Sequence, residues 1–387
     1  MRPIHAAILL IGVLLASGGY GATFLFSMHV RAIGGTDFDT GVALAGAALG
    51  TFAGVSLTGW VAQHVGAARM AALAALCVGA GVVGFALMAH ASGIDALPGF
   101  LVGLGWGAFC LAAPMALAER TSDADRSLWF LRFATFQMAG VGGCPALAAF
   151  AMRFWRMPLE GVLYAIGALC LIGALTLEIF GRLARVQPAQ ERWLRSIGAI
   201  ARTRAVYPIV IIALGGCVFS GLMTFQMSLV QGTQAKASTF FSLYTITVIA
   251  TRWLLARLVV RMRAATATKV LLAMMVLGSA AMFAVPYHAG FQALAAVLLG
   301  TGYGLAYPIV QVQAIDDAAA AHRRAALTWF VAAYFVGAFG FPSLGGWVLV
   351  HSGKGALLAL IAGCGLAALA LAILRDRRRG GSLSASA

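Results

Sequence analysis

Charged side chains are scarce in this chain. Asp, Glu, Lys and Arg make up 10% of the 387 residues, while apolar residues make up 61%; a typical soluble domain is roughly 25% charged. The sequence also lacks strand-length alternation of apolar and polar residues, so helices are the structure that can satisfy its backbone in lipid. These absences exclude an ordinary soluble protein and indicate a helical protein that spans a membrane.

The motifs that carry chemistry in other classes of protein are absent as well. The six cysteines form no C-x-x-C pair, the seven histidines have no H-x-x-x-H spacing, and there is no phosphate-binding G-x-x-x-x-G-K-[ST] loop. We therefore expect no enzyme, no catalytic residues, no metal or cofactor, and no direct use of ATP. The net charge of +15 would suit nucleic acid, but 25 of the 27 basic residues lie between or at the ends of apolar segments, so we expect no nucleic-acid partner.

Long apolar stretches are what the chain does have. A helix needs about 20 apolar residues to cross a bilayer, and twelve stretches come near or exceed that length. We number them spans 1 to 12 and place them near 6–29, 41–62, 70–89, 97–118, 128–150, 159–180, 207–230, 239–260, 269–287, 290–314, 326–349 and 355–374. The predicted fold class is an all-α membrane protein with twelve transmembrane helices.

An internal repeat divides the twelve spans into two halves. Residues 140–149 read GVGGCPALAA, and residues 337–346, which begin 197 positions later, read GAFGFPSLGG. At the same offset GLGWG at 103–107 falls on GTGYG at 300–304. We predict two pseudo-symmetric six-helix bundles, 1–181 and 207–375, joined by a basic linker at 182–206 and followed by a tail at 376–387.

The distribution of basic residues predicts the orientation. With both termini in the cytoplasm, 20 of the 27 Lys and Arg residues fall on cytoplasmic segments and five on the other side, as the positive-inside rule requires. We therefore expect a multi-pass protein of a bacterial-type inner membrane, in contact with lipid, with both termini cytoplasmic. We expect a monomer.

The repeated ten-residue pattern predicts a hinge in each half. Gly140 and Gly337 leave room for a neighbouring helix to approach closely. Pro145 and Pro342 each remove one backbone hydrogen bond and bend their helices. Ordinary helix packing with an incidental proline is the alternative.

These features together resemble the major facilitator superfamily. The resemblance rests on two sets of six spans, the basic central segment, and the span 5 pattern, which is similar to the antiporter motif g-x-x-x-G-P-x-x-G-G of the drug and metabolite exporters. Gly140, Pro145, Ala148 and Ala149 match that motif or replace a glycine by another small residue, and Cys144 stands in place of its second glycine. The resemblance implies the twelve-helix fold, alternating access and export of a small molecule.

The chain departs from the family where proton coupling is concerned. The loop after span 2 carries Gln63 where the family has an aspartate, and all twelve carboxylates can be placed in loops or at span ends. Proton-coupled carriers commonly use a buried carboxylate. A coupling proton is therefore left open.

Two arginines lie inside predicted spans and are candidate binding residues. Arg252 sits about two turns inside span 8, and a guanidinium there suits an anionic substrate, because it binds a carboxylate or phosphate bidentately. A link from Arg252 to helix-end carbonyls is the structural alternative. Arg132 in span 5 is a possible second basic site, or it reaches the lipid headgroups.

The rest of the substrate site follows from the resemblance, which implies that spans 1, 4, 7 and 10 line a central cavity. The polar and aromatic candidates, together with one on span 8, are Tyr20, Phe24, Trp106, Gln226, Tyr244, Tyr303, Tyr307 and Gln311. We predict a secondary active transporter that exports a small organic molecule, with an anion as one option. The alternatives are an organic-anion importer or exchanger, or a transporter-like sensor.

Overall fold

The computed structural model describes residues 3–35, 37–88, 96–123, 125–183 and 196–384, which form helices and no strand. In the first half the spans correspond to Pro3–Gly21 with Thr23–Ala32, Asp37–Val65, Ala67–Ala86, Ala96–Ala118, Arg126–Phe154 and Leu159–Leu183. In the second half they correspond to Val206–Thr224 with Gln226–Val230, Ala237–Leu254 with Ala256–Arg261, Ala264–Ala281, Gly290–Asp316, and Arg323–Ser384, which holds spans 11 and 12. The prediction of an all-α membrane protein is confirmed.

Eleven helices of the described residues are long and apolar enough to cross a membrane. The exception is span 8, whose helix Ala237–Leu254 has 18 residues but includes Arg252 and several hydroxyl side chains that lower its mean hydropathy. Spans 11 and 12 are joined at Gly353, whose φ of 81° is one that glycine adopts at little cost. That single residue turns the chain from one span to the next.

The chain forms two compact units, Met1–Trp193 and Leu194–Ala387. The predicted linker at 182–206 falls at their boundary, but its residues 184–195 lie outside the described part of the chain. A short helix, Ile197–Ala201, precedes span 7. The last helix runs on to Ser384, into the predicted tail.

Glycines join spans 2 and 4 in the first unit. Gly46, Gly50 and Gly54 of span 2 face backbone carbonyls of span 4 so closely that a Cβ atom would not fit. Three glycines of span 4, at positions 99, 103 and 107, face carbonyls of span 2 in the same way. Small residues at four-residue spacing allow this approach in a membrane, where close packing replaces the hydrophobic effect.

The corresponding pair in the second unit is packed less closely. Gly300 and Gly304 of span 10 still face span 8, but a Cβ atom at either would lie 3.0 to 3.2 Å from the nearest side-chain atoms. Thr247 and Thr251 stand on span 8 at the positions that are Gly50 and Gly54 in span 2. Spans 8 and 10 therefore lie further apart, and side chains fill the space between them.

Candidate functional site

Arg252 is buried between spans 8 and 10, with 4% of its surface exposed. Its Nε donates a hydrogen bond to the carbonyl oxygen of Gly304 at 2.7 Å. The intrahelical donor for that carbonyl would be the N–H of residue 308, which is a proline inside the helix and has none. Arg252 thus supplies the hydrogen bond that Pro308 removes, and the carbonyl that it binds lies inside span 10, not at a helix end as the structural alternative had it.

Three tyrosines lie near this arginine, and a fourth packs against two of them. Tyr244, Tyr303 and Tyr307 lie close enough to the guanidinium to interact with it electrostatically. Tyr334 of span 11 joins them: its hydroxyl pairs with that of Tyr303, and its ring meets the Tyr307 ring edge-on, with centroids 5.2 Å apart. We call Arg252 and these four tyrosines the tyrosine–arginine cluster. It places one cation and four hydroxyl groups within a largely apolar unit.

A stacked pair of aromatic rings lies beside the cluster. Phe219 of span 7 stacks on Tyr303, with ring centroids 4.6 Å apart and planes 7° from parallel. In the first unit Tyr20 of span 1 stacks on Trp106 of span 4 at 4.1 Å and 9°. Trp106 and Tyr303 are equivalent at the offset of 197, as predicted from the repeat. The two stacks show that the repeat extends to spans 1 and 7, with two further residues inserted before Phe219.

The two units differ in chemistry at equivalent positions. The N-terminal counterparts of Arg252, Tyr244, Tyr307 and Tyr334 are Val55, Ala47, Cys110 and Gln137. The ring contact between Tyr307 and Tyr334 is replaced there by a Gln137 Nε2 that approaches the Cys110 sulfur at 3.8 Å. The same scaffold therefore carries an arginine and phenols in one half and small or neutral side chains in the other.

Three other candidates lie outside these contacts. Gln226, at the break in span 7, is fully buried and neither amide atom has a hydrogen-bond partner. Gln311 is 2% exposed, and its Nε2 has no partner. Phe24 is 63% exposed. No described contact joins any of the three to the tyrosine–arginine cluster, and their roles in substrate binding stay predictions.

Arg132, the possible second basic site, is an exposed side chain. Its guanidinium lies over the ring of Trp129, one turn earlier in span 5, at 4.8 Å. An exposed arginine next to an aromatic ring fits the headgroup alternative better than a buried anion site.

The predicted hinge residues lie where spans 5 and 11 meet their neighbours. A Cβ atom at Gly140 would meet the carbonyl of Leu14 in span 1, and one at Gly337 would meet the carbonyl of Ala213 in span 7. These contacts are equivalent in the two units. They confirm that each glycine allows close approach, while the hinge role itself stays a prediction.

The prolines of the two motifs free carbonyls that the same neighbours cover. Pro145 cannot bond to the Val141 oxygen, and Gly21 packs against that oxygen, 2.5 Å from the position its Cβ would take. In the second unit Pro342 frees the Ala338 oxygen, which accepts a hydrogen bond from the Ser220 hydroxyl at 2.5 Å. In each unit the carbonyl that the proline frees therefore lies against one partner, span 1 or span 7.

Several carboxylates form ion pairs at helix ends, where the sequence had placed them. Glu178 at the end of span 6 pairs with Arg182 at 2.9 Å and Arg69 at 3.4 Å. In the second unit Asp317 pairs with Arg375 at 2.6 Å. Within the described residues, no group of His, Cys, Asp and Glu could hold a metal ion, and the six cysteines are free.

Sequence analysis had missed Phe219, Ser220 and Tyr334. Phe219 is hidden by the two-residue shift in span 7, because the uniform offset of 197 places Ala22 opposite it instead of Tyr20. Tyr334 lies one turn before Gly337 of the repeated motif. Its place on the same face of span 11 as the motif glycine could have identified it as a candidate.

Comparison with known proteins places the chain in a large group of transporters. The sequence model of the Major Facilitator Superfamily matches residues 8–342. No curated protein matches the sequence. Among solved structures, the human organic anion transporter MFSD10 (TETRAN) is similar with a TM-score of 0.78 at 16% identity, over 96% of this chain and 100% of that one.

Two further structures show the same fold. A bacterial homologue of the iron transporter ferroportin, in an outward-facing state, has a TM-score of 0.77 at 17% identity, over 97% of this chain and 100% of that one. A variant of the E. coli fucose:proton symporter FucP has a TM-score of 0.76 at 12% identity, over 96% and 98%. At such identities the likeness concerns the fold.

Proposed function

Because the chain belongs to the major facilitator superfamily, we propose that it is a secondary active transporter that carries a small organic anion by alternating access. The transporter class and the multi-pass membrane location follow from the family. The anionic substrate rests on one observation, the burial of Arg252 within the tyrosine–arginine cluster.

The surroundings of Arg252 favour an anion over a neutral molecule. A buried guanidinium is stabilised by a negative charge close to it, and its own helix, Ala237–Leu254, carries no acidic residue. Along span 10 the first carboxylate after Gly304 is Asp316, twelve residues away, or roughly 18 Å along a helix. A substrate carboxylate would bring a negative charge to the guanidinium and would accept two parallel hydrogen bonds from it.

The rings of the cluster favour an aromatic or apolar body on that anion. The stacked rings of Tyr303 and Phe219 form an aromatic surface beside the arginine. The tyrosine hydroxyls can donate hydrogen bonds to further carboxylate oxygens. An aromatic carboxylate would combine a charged group for Arg252 with a flat surface for these rings.

Export is the proposed direction, and it rests on the resemblance of the span 5 pattern to the exporter motif. An importer or an exchanger of organic anions would use the same cluster, and a transporter-like sensor would bind without flux. We further propose that the protein lies in an inner membrane of bacterial type as a monomer with both termini cytoplasmic. A coupling proton, if one is used, would bind a group other than a mid-membrane carboxylate, because the sequence predicts none.

Binding of phthalate tests the substrate proposal. Phthalate is an aromatic dicarboxylate that stays ionised at neutral pH, and benzamide serves as an uncharged comparison. We expect calorimetry on the purified protein to detect phthalate and not benzamide. Arg252→Ala should abolish binding, while Arg252→Lys, which keeps the charge and loses the planar fork, should weaken it about tenfold.

A matched control separates the site from the general positive charge. Arg257 is an exposed arginine five residues further along the chain, and Arg257→Ala should bind phthalate as the unchanged protein does. Arg132→Ala should have a smaller effect than Arg252→Ala. Unaltered phthalate binding by a folded Arg252→Ala protein would refute the anion site.

A further inference from the structure

The bond between Arg252 and Gly304 connects the proposed site to the shape of span 10. The Gly304 oxygen lacks an intrahelical donor because residue 308 is proline, and Arg252 Nε donates to it at 2.7 Å. One side chain therefore has two tasks, since it is the only cation of the tyrosine–arginine cluster and it also satisfies a backbone carbonyl at a helix bend.

The arginine and the proline occur together in one half and are absent together in the other. The position of Arg252 is occupied by Val55 in span 2, and that of Pro308 by Leu111 in span 4. Leu111 keeps the N–H that bonds the carbonyl four residues earlier, so the counterpart of the Gly304 carbonyl needs no donor from another helix. The pair is a matched feature of the second unit, which is also the unit that carries the tyrosines.

We propose that the Gly304 carbonyl is an internal competitor of the substrate for Arg252. Without an anion, Arg252 holds this carbonyl and fixes the bend of span 10. A bound carboxylate draws the guanidinium away and frees span 10 to change its bend at Pro308. The proposal rests on the proposed function, because it requires an anionic substrate at Arg252.

The exchange has a physical basis in the donors of the guanidinium. One edge of the fork includes Nε, so a carboxylate that engages this edge takes the donor that Gly304 uses. A hydrogen bond between two charged groups is stronger than one to a neutral carbonyl, so the anion displaces the carbonyl.

Release of the Gly304 carbonyl would in turn alter the positions of the tyrosines in the proposed substrate site. A buried carbonyl without a donor is unfavourable, and the backbone next to a proline is where a helix adjusts most readily. Tyr303 and Tyr307 lie one and three residues from Gly304 on the same helix. A changed bend would therefore move both rings and link occupancy of the site to the movement of span 10.

Pro308→Ala is the variant that tests the competition. Alanine restores an N–H for the Gly304 oxygen, so this oxygen no longer competes with the anion for Arg252 Nε. We expect phthalate to bind about two- to tenfold more tightly, which corresponds to the net free energy of one hydrogen bond. We also expect phthalate exchange in proteoliposomes to be slower. Pro114→Ala, which removes a buried proline from span 4, is the matched control and should leave the affinity unchanged.

A double variant supplies an independent readout by thermal unfolding. Arg252→Ala should lower the melting temperature by leaving the Gly304 oxygen without a donor, and adding Pro308→Ala should recover at least half of the loss. The double variant should still not bind phthalate.

The outcomes separate this inference from the proposed function. Phthalate binding that is normal in the unchanged protein and equal or weaker in Pro308→Ala would overturn the competition and leave the anion site standing. The competition would also be overturned if adding Pro308→Ala to Arg252→Ala recovered none of the loss in melting temperature. An unchanged protein that binds no phthalate would overturn both proposals for this class of anion.

Discussion

A single methyl group added at the motif glycines should force two helices apart. The nearest carbon atoms to a Cβ at Gly337 or Gly140 would be the carbonyl carbon of Ala213 and the Cβ of Ser17, each at 2.9 Å. Carbon atoms pack at about 3.5 to 4.0 Å, so each methyl group would be at least roughly 0.6 Å too close. The carbonyl oxygens of Ala213 and Leu14 are closer still, and a backbone group cannot rotate away.

The structure provides matched controls three residues further along. Gly143 and Gly340 are equivalent to one another, and a Cβ atom at either meets nothing within 4 Å. Glycine to alanine in a helix gains about 1 kcal/mol of helix propensity at any of these positions, so this gain cancels in the comparison. Overpacking remains, at about 1 to 3 kcal/mol.

We therefore expect Gly140→Ala and Gly337→Ala to be less stable than Gly143→Ala and Gly340→Ala by about 1 to 3 kcal/mol. Thermal unfolding of the purified proteins measures this difference, at roughly 2 to 4 °C for each kcal/mol in a unit of this size. Equal melting temperatures for the motif glycines and their controls would refute the close packing of spans 5 and 11 against spans 1 and 7.

Other contacts lead to further predictions. Ser220→Ala removes the donor to a proline-freed carbonyl and should cost about 1 to 3 kcal/mol of unfolding free energy, whereas substitution of an exposed serine should not. Exchanging Asp317 for arginine and Arg375 for aspartate together should recover the stability that either change alone loses, because the equivalent positions in the first unit already carry the opposite charges. Cysteines introduced beside Gly353 should react with an impermeant reagent in intact cells, and those beside Asp123 should not. Labelling beside Asp123 would reverse the orientation.

The sequence was sufficient to predict most of the fold. The twelve apolar stretches and the repeat at 197 residues led to the two six-helix halves, and the equivalence of Trp106 and Tyr303 predicted one ring from each stacked pair. The other rings, Tyr20 and Phe219, were not matched, because spans 1 and 7 have a different offset. An alignment without gaps cannot show a two-residue shift.

The partner of Arg252 could be recognised only from the structure. The sequence contains Pro308, and a proline inside a helix always frees the carbonyl four residues earlier. Which side chain covers that carbonyl depends on how spans 8 and 10 pack, and this packing depends on threonines that replace glycines in span 8. The structural alternative named helix-end carbonyls, whereas the carbonyl that Arg252 binds lies inside span 10. The substrate proposal concerns what the same guanidinium does when an anion binds.

Counterflow of labelled phthalate in proteoliposomes tests the central claim most directly. Vesicles that contain the unchanged protein and are loaded with unlabelled phthalate should accumulate the label transiently, and benzamide outside should not compete. Vesicles with Arg252→Ala should behave as protein-free vesicles, while those with Arg257→Ala should accumulate the label normally. Accumulation by Arg252→Ala equal to that of the unchanged protein, or none above protein-free vesicles by the unchanged protein, would contradict transport of an organic anion through Arg252.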